Sequence, residues 1–401
     1  MKQVLKIIFS LLLGACIGCG AVMLYIVLFT DIMPSGFLEK VEEIQASKLV
    51  LSCLLSLISL ILAIFLQVIL HEGGHLLLGF VTGYRFVSFR IGNLTLIKEE
   101  GKFRFKRFSI SGTGGQCLLS PPDGPYEQMP YFWYNAGGVL MNLLTASGAL
   151  ALWIAYPDMP LPLHVFLLFF FFCGFLFTLM NGIPMKAAGI TNDAYNLILM
   201  RRDVNARRYL ALQLAVNAEA QKGVRLKDMP DEWFPNDEVT DYRDLLQVAV
   251  RLLYISRYMD RKEFETAHAL FSEMEPYKGK IIGLYAREIE CELLFLELIG
   301  KRRKEEVERL YTDGVKKHIQ LYKAVMSSKP RLLCALALHW EHQPERAKEI
   351  YEEVSGKQDK YLMQGEVFSD LDIMETMLRE AEACRTDVSP SDDEAKETNK
   401  R

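Results

Sequence analysis

Long apolar runs occupy the first half of the chain, and shorter amphipathic segments occupy the second. Four runs are near or above the roughly 20 residues that cross a hydrocarbon core, and they cover residues 4–29, 49–81, 134–156 and 163–183. From about residue 201 to 385, apolar positions instead recur with helical spacing between short polar turns. The pattern predicts a membrane α-helical fold, a four-span bundle over residues 1–200, followed by an all-α soluble domain over 201–385.

Residues 84–119, between the second and third runs, alternate apolar and polar side chains. Such alternation is typical of strands with one buried face. The alternating segments begin at Tyr84, Asn93 and Phe103, with Gly92 and Gly101 between them. We therefore expect a small β-meander. The glycine-rich run at 111–115 is interpreted either as a turn or as a flexible gate.

The predicted helices of the C-terminal half follow one another closely. They cover residues 242–258, 263–274, 281–299, 305–326, 331–340 and 346–354. The segments that begin at Asp260 and Gln343 each resemble the second helix of a tetratricopeptide pair, although a strict 34-residue period is not visible. Two interpretations stay open. The helices form either a concave surface that binds a partner protein or an irregular bundle that only stabilises the N-terminal half of the protein. Residues 386–401 are polar and lack aromatics, which predicts a disordered tail.

The charges beside the apolar runs predict the orientation. The segment after the second run is rich in Arg and Lys, and the fourth run is followed by Lys186, Arg201 and Arg202. The segment after the first run is acidic on balance. Because basic residues favour the cytoplasmic side, we expect a multi-pass protein of the cell membrane with both termini cytoplasmic. The first run resembles a signal peptide at Lys2 and Lys6, but it continues well beyond a signal h-region and is predicted to span.

Composition excludes several other classes of protein. The formal net charge is −4, and the basic residues are interspersed with acidic ones, without a compact basic motif that carries aromatics. This argues against a nucleic-acid partner and leaves the lipid bilayer as the predicted environment. The eight cysteines form no repeated C-x-x-C ladder, so neither a disulfide framework nor a zinc ribbon is expected.

The second apolar run contains His71, Glu72 and His75, which form an H-E-x-x-H motif. Residues four apart lie on one helix face, so both imidazoles can bind one Zn²⁺ while Glu72 reaches a water at the metal. Ionisable side chains are costly in hydrocarbon, and this cluster therefore predicts a functional site. Zinc needs a third protein ligand. Asp193, in a polar stretch broken by glycine and proline after the fourth run, is the predicted ligand, and its alternative role is to cap the helix that starts at Ala194.

These motifs together resemble the site-2 protease family of intramembrane zinc metalloproteases. The positions that match the family's pattern beyond H-E-x-x-H are Gly137, Gly138, Asn142, Asn181, Pro184 and Asp193. The resemblance covers roughly residues 49–196. The chain departs from the pattern in a longer interval between Asn181 and Asp193, in Ala194 where glycine is usual, and in having no insertion long enough for a PDZ domain.

The resemblance implies a zinc metalloendopeptidase that hydrolyses peptide bonds of transmembrane or membrane-anchored proteins, as in regulated intramembrane proteolysis or the processing of signal and pheromone peptides. Its metal ligands would be His71, His75 and Asp193. Glu72 would be the catalytic base, and Asn181 and Asn142 would position the substrate or the reaction intermediate. A helix cap at Asn181 and helix packing at Asn142 are the alternative roles. The family's sheet implies an edge to which an extended substrate adds.

One alternative function belongs to a different class. The chain would be a non-proteolytic membrane adaptor with a degenerate zinc site, and its helical domain would bind a partner protein. Full ligation of zinc would argue against the adaptor. A transporter is disfavoured because the predicted spans show no internal repeat.

Overall fold

The computed structural model describes residues 46–99, 101–107, 114–187 and 190–386. The motif residues, the sheet and the C-terminal helices all belong to one compact unit, Leu60–Arg401. The first predicted span, residues 4–29, lies outside the described residues, as does the predicted disordered tail after Thr386.

Three helices form the apolar part of the described chain, and they correspond to the second, third and fourth predicted spans. They are α1 (Ala46–Val81), α2 (Tyr131–Ala155) and α3 (Leu161–Gly182). Each is long and apolar enough to cross a membrane, α1 over Leu54–Val81. Large apolar side chains such as Phe65, Leu144 and Phe172 are exposed on them. Exposed side chains of this kind suit a lipid environment, so the helices indicate a membrane-associated protein.

Four short strands form the predicted sheet between α1 and α2. They are β1 (Arg85–Ile91), β2 (Leu94–Glu99), β3 (Lys102–Arg107) and β4 (Gly115–Ser120). The order is β3-β2-β1-β4, and every neighbouring pair is antiparallel. The first three strands are a meander that turns at Gly92 and Gly101, where φ is +59° and +79°.

Strand β4 is a correction to the prediction of a simple meander. It pairs with β1 and not with β3, so it forms the opposite outer strand of the sheet. Cys117, Leu118 and Leu119 are all buried in β4. A continuous apolar run gives no alternation of period two, and for that reason the sequence pattern did not reveal the strand.

The polar stretch after α3 begins without a helix, as predicted. It contains the two-stranded hairpin of β5 (Lys186–Ala187) and β6 (Ile190–Thr191). Helix α4 (Asp193–Arg202) follows at once, and α5 (Val204–Gln221) comes directly after it. Leu214 of α5 belongs to the same buried cluster as Cys117 and Leu119, so α5 packs on the sheet.

The C-terminal half is helical, as predicted. Its helices are α6 (Leu245–Asp260), α7 (Phe264–Met274), α8 (Gly283–Ile299), α9 (Lys304–Leu310), α10 (Asp313–Tyr322), α11 (Ser328–His339), α12 (Pro344–Gly356) and α13 (Gln364–Thr386). The single helix predicted over 305–326 is wrong, because the chain breaks between α9 and α10. The Thr312 side chain accepts a hydrogen bond from Val315 N at 3.3 Å and caps a new helix there.

Candidate metal centre

Three side chains converge where α1 approaches the start of α4. The Nε2 atoms of His71 and His75 are 3.2 Å apart. Asp193 Oδ2 lies 3.2 Å from His71 Nε2 and 3.4 Å from His75 Nε2. The two histidines are one helical turn apart on α1, and Asp193 is the first residue of α4. The structure therefore brings together all three side chains that the sequence predicted as metal ligands.

Hydrogen bonds to the other ring nitrogens determine which tautomer each histidine adopts. His75 Nδ1 lies 2.6 Å from the backbone oxygen of Tyr134. Because a carbonyl oxygen only accepts, Nδ1 carries a proton, and in the neutral imidazole Nε2 therefore keeps a free lone pair.

His71 is oriented by a chain of amide side chains. Asn142 Nδ2 donates to Gln67 O at 3.0 Å and to Gln67 Oε1 at 2.6 Å. These bonds leave Asn142 Oδ1 as an acceptor, and it lies 2.6 Å from His71 Nδ1. His71 is therefore also protonated on Nδ1, and both imidazoles, when neutral, present Nε2 lone pairs to Asp193. Metal-binding histidines are normally held in this way by a partner on the other nitrogen.

When both imidazoles are neutral, the three facing atoms have no proton to share. Asp193 Oδ2 is buried and has no hydrogen-bond partner among the described residues. Two lone pairs and a carboxylate oxygen repel one another unless a cation lies between them. Ligands placed tetrahedrally about 2.0–2.1 Å from Zn²⁺ are separated by about 3.3–3.4 Å. The observed separations of 3.2–3.4 Å match this spacing, so the donor set fits zinc.

Glycines leave room for the ligands beside α2. A Cβ atom added to Gly138 would lie 2.6 Å from both His71 Nε2 and His75 Nε2. One residue earlier, Gly137 meets the backbone of Gly74, so that neither position has room for a Cβ. The small-residue motif in the sequence therefore allows α2 to approach α1 closely and leaves the space in front of the Nε2 atoms open.

A neighbouring asparagine positions Asp193. Asn192 Oδ1 accepts from Tyr195 N and from Met185 N, each at 3.0 Å. Its Nδ2 donates to Met180 O at 2.7 Å and to Ile183 O at 2.6 Å. Asn192 is thus the N-cap of α4 and ties that helix to the end of α3. The alternative prediction, in which Asp193 is the cap, is wrong.

The three converging side chains, His71, His75 and Asp193, form the candidate metal-ligand cluster. Glu72 lies between this metal-ligand cluster and the sheet. It is only 9% exposed. A Cβ added to Gly115, the first residue of β4, would lie 2.6 Å from Glu72 Oε1. Further along β4, the Tyr134 hydroxyl donates to Cys117 O at 2.8 Å. The outer strand of the sheet therefore runs beside the predicted base and is fixed to α2.

The two predicted positioning asparagines lie in different surroundings. Asn142 is fully buried, and its side chain belongs to the network that orients His71. Asn181 Nδ2 donates to Phe177 O at 3.2 Å within α3, and among the described residues it makes no hydrogen bond to the metal-ligand cluster. Sequence reasoning missed Gln67 and Tyr134. Gln67 carried a signal, because it is a polar residue one turn before His71 in an apolar helix. Tyr134 carried none, because it acts on His75 through its backbone.

Comparison of the chain with family models, with curated proteins and with solved structures found no match.

Proposed function

We propose that the chain is an intramembrane zinc metalloprotease that hydrolyses peptide bonds of transmembrane or membrane-anchored proteins. The observation that carries the proposal is the convergence of two histidine Nε2 atoms and one buried carboxylate oxygen at zinc-ligand spacing. His71, His75 and Asp193 would hold the ion. When bound, zinc supplies a Lewis acid that acidifies water and polarises a carbonyl group.

Glu72 supplies the proton transfer that hydrolysis requires. It follows His71 directly on α1, beside the ligands, and is largely shielded from solvent. Its carboxylate would accept a proton from the attacking water and deliver that proton to the departing amine. Asn142 and Gln67 would act through His71, by keeping its Nε2 lone pair directed at the ion.

The position of β4 supports an extended peptide as the substrate. A helical substrate keeps its carbonyl groups in intrahelical hydrogen bonds, whereas pairing with a strand holds a peptide extended. β4 is an outer strand, and its first residue contacts Glu72. A substrate segment aligned along β4 would reach the base in an unwound state.

The proposal includes finer features of the architecture. Residues 4–29 would form a fourth span, which places both termini in the cytoplasm. The helices after α5 would form a tetratricopeptide-like domain on the cytoplasmic side, available to substrate or partner.

Proteolysis is tested by comparing protein termini in membranes from cells that express the wild type or Glu72→Gln. We expect new termini, within or next to apolar segments of membrane proteins, that occur only with the wild type and disappear with a zinc chelator. Identical termini in the two membranes, although both proteins bind zinc, would contradict the proposal.

A further inference from the structure

A cavity of about 410 Å³ lies between the β-sheet and the C-terminal helices. Ser88 of β1 and Gln116 and Leu118 of β4 form its sheet wall. Gln116 directly follows Gly115, the residue that contacts Glu72. Because a strand rises about 3.3 Å per residue, Leu118 lies about 10 Å along β4 from Gly115. A peptide that passes Glu72 along β4 would therefore reach this cavity within a few residues.

The helical wall of the cavity is strongly acidic. Its carboxylates are Asp260, Glu288, Glu292, Glu366 and Asp370. Four of them have basic partners: Arg225 pairs with Asp260, Lys329 with Glu288, and Arg331 with both Glu292 and Asp370. These ion pairs neutralise most of the negative charge of the wall. They also hold α8, α11 and α13 together around the cavity.

Glu366 is the exception. Its carboxylate makes no ion pair or hydrogen bond with the part of the chain that the structure describes. Burial, together with the charges of Asp370 and Glu288, raises the pKa of Glu366 to about 7, although Lys329 and Arg331 oppose the increase. A half-buried carboxylate without a partner is costly, and a cation in the cavity would remove that cost.

A second polar group in the wall also lacks a partner. Gln221, in the last turn of α5, is 8% exposed, and its Nε2 has no hydrogen-bond partner among the described residues. An amide N–H that lines a cavity suits a carbonyl acceptor, such as a peptide backbone. Glu366 and Gln221 together offer one site for a cation and one donor for a main chain.

We propose that this cavity binds the cytoplasmic flank of the protease substrate and places a Lys or Arg side chain against Glu366. The inference rests on the proposed function. Cytoplasmic flanks of membrane segments are rich in Lys and Arg, so the substrate class supplies the required charge. The apolar part of the wall, including Leu118, accommodates the aliphatic stem of such a side chain.

Binding is tested without hydrolysis, using the full-length Glu72→Gln protein in detergent. The probe is a short peptide of alternating Val and Thr with one central Lys and an uncharged fluorophore, and its affinity is measured by anisotropy. A matched peptide carries norleucine in place of Lys. We expect the Lys peptide to bind at least about tenfold more tightly, because a charge-assisted bond is lost with norleucine. We expect a similar loss when Glu366→Gln is added.

The control is Glu375→Gln, which removes the same charge from an exposed position of the same helix. It should leave the affinity unchanged. Equal affinities for the Lys and norleucine peptides, or no effect of Glu366→Gln, would overturn the proposal. So would equally tight binding of Nα-acetyl-lysinamide, because a small amine would then be sufficient. Selective binding of the Lys peptide without Glu72-dependent cleavage in membranes would support the cavity as a binding site but contradict the proposed protease. Glu72-dependent cleavage without selective binding of the Lys peptide would contradict only the proposed role of the cavity.

Discussion

At the scale of single residues, the cluster of His71, His75 and Asp193 is held in place by groups outside it. Asn142 and the backbone of Tyr134 orient the two imidazoles, and Gly138 leaves space in front of them. The convergence of the three side chains could be predicted from a spacing of four on a helix and one carboxylate downstream. The orienting groups could not all be predicted, because a backbone acceptor carries no sequence signal.

A methyl group at Gly138 should disrupt zinc binding. Its Cβ would lie within 2.6 Å of both Nε2 atoms, which are the proposed ligand atoms. We expect Gly138→Ala to lower the affinity for zinc by at least about tenfold, measured by competition with a chelator of known affinity. Gly148→Ala, on the same helix with no atom within 4 Å of the added Cβ, is the control. Equal affinity in the two variants would show that the site lies elsewhere.

At the scale of elements, local pattern predicted most of the helices but not their breaks. The alternation over 84–119 predicted the first three strands, whereas β4 was missed because its buried run lacks alternation. The break between α9 and α10 depends on one capping threonine within a continuous amphipathic pattern. A capping residue is a signal at a single position. When the amphipathic pattern continues on both sides of it, the pattern predicts one long helix and the break is missed.

The N-cap of α4 should affect zinc because it positions Asp193. Asn192→Ala removes four hydrogen bonds, of which one caps α4 and three join it to the end of α3 and the residues just after it. We expect zinc affinity to fall and the melting temperature to decrease by a few degrees, since loss of a cap costs about 0.5–2 kcal/mol. Asp203→Ala, which removes the N-cap of α5, should lower stability without changing zinc affinity. The same loss of zinc in both variants would contradict a specific role for Asn192.

Glu366 should make stability depend on pH. Its pKa is about 7 in the folded chain, against an ordinary value of 4.5. Between these pH values the folded state binds more protons than the unfolded state, so stability decreases as pH rises through this window. Glu366→Gln removes the penalty, and we expect its melting temperature to exceed that of wild type by about 2–4 °C at pH 8 but not at pH 4.5. An equal difference at both pH values would refute the assignment.

At the scale of the whole molecule, β4 lies beside Glu72 of the H-E-x-x-H helix at Gly115 and lines the cavity at Gln116 and Leu118. Apolar length predicted the three long apolar helices, and helical periodicity predicted the helical C-terminal half. The cavity could not be predicted, because its walls come from β1, β4, α5, α6, α7, α8, α11 and α13, which are spread widely along the chain. Long-range packing of this kind leaves no local pattern.

The central claim is that His71, His75 and Asp193 hold one zinc ion. The most direct test is elemental mass spectrometry of the full chain, purified in detergent as wild type, His71→Ala and Glu72→Gln. The account predicts about one zinc per chain in the wild type and in Glu72→Gln, whose changed residue is a base and not a ligand, and almost none in His71→Ala. A wild type without zinc after reconstitution, or a His71→Ala variant that keeps its zinc, would contradict it.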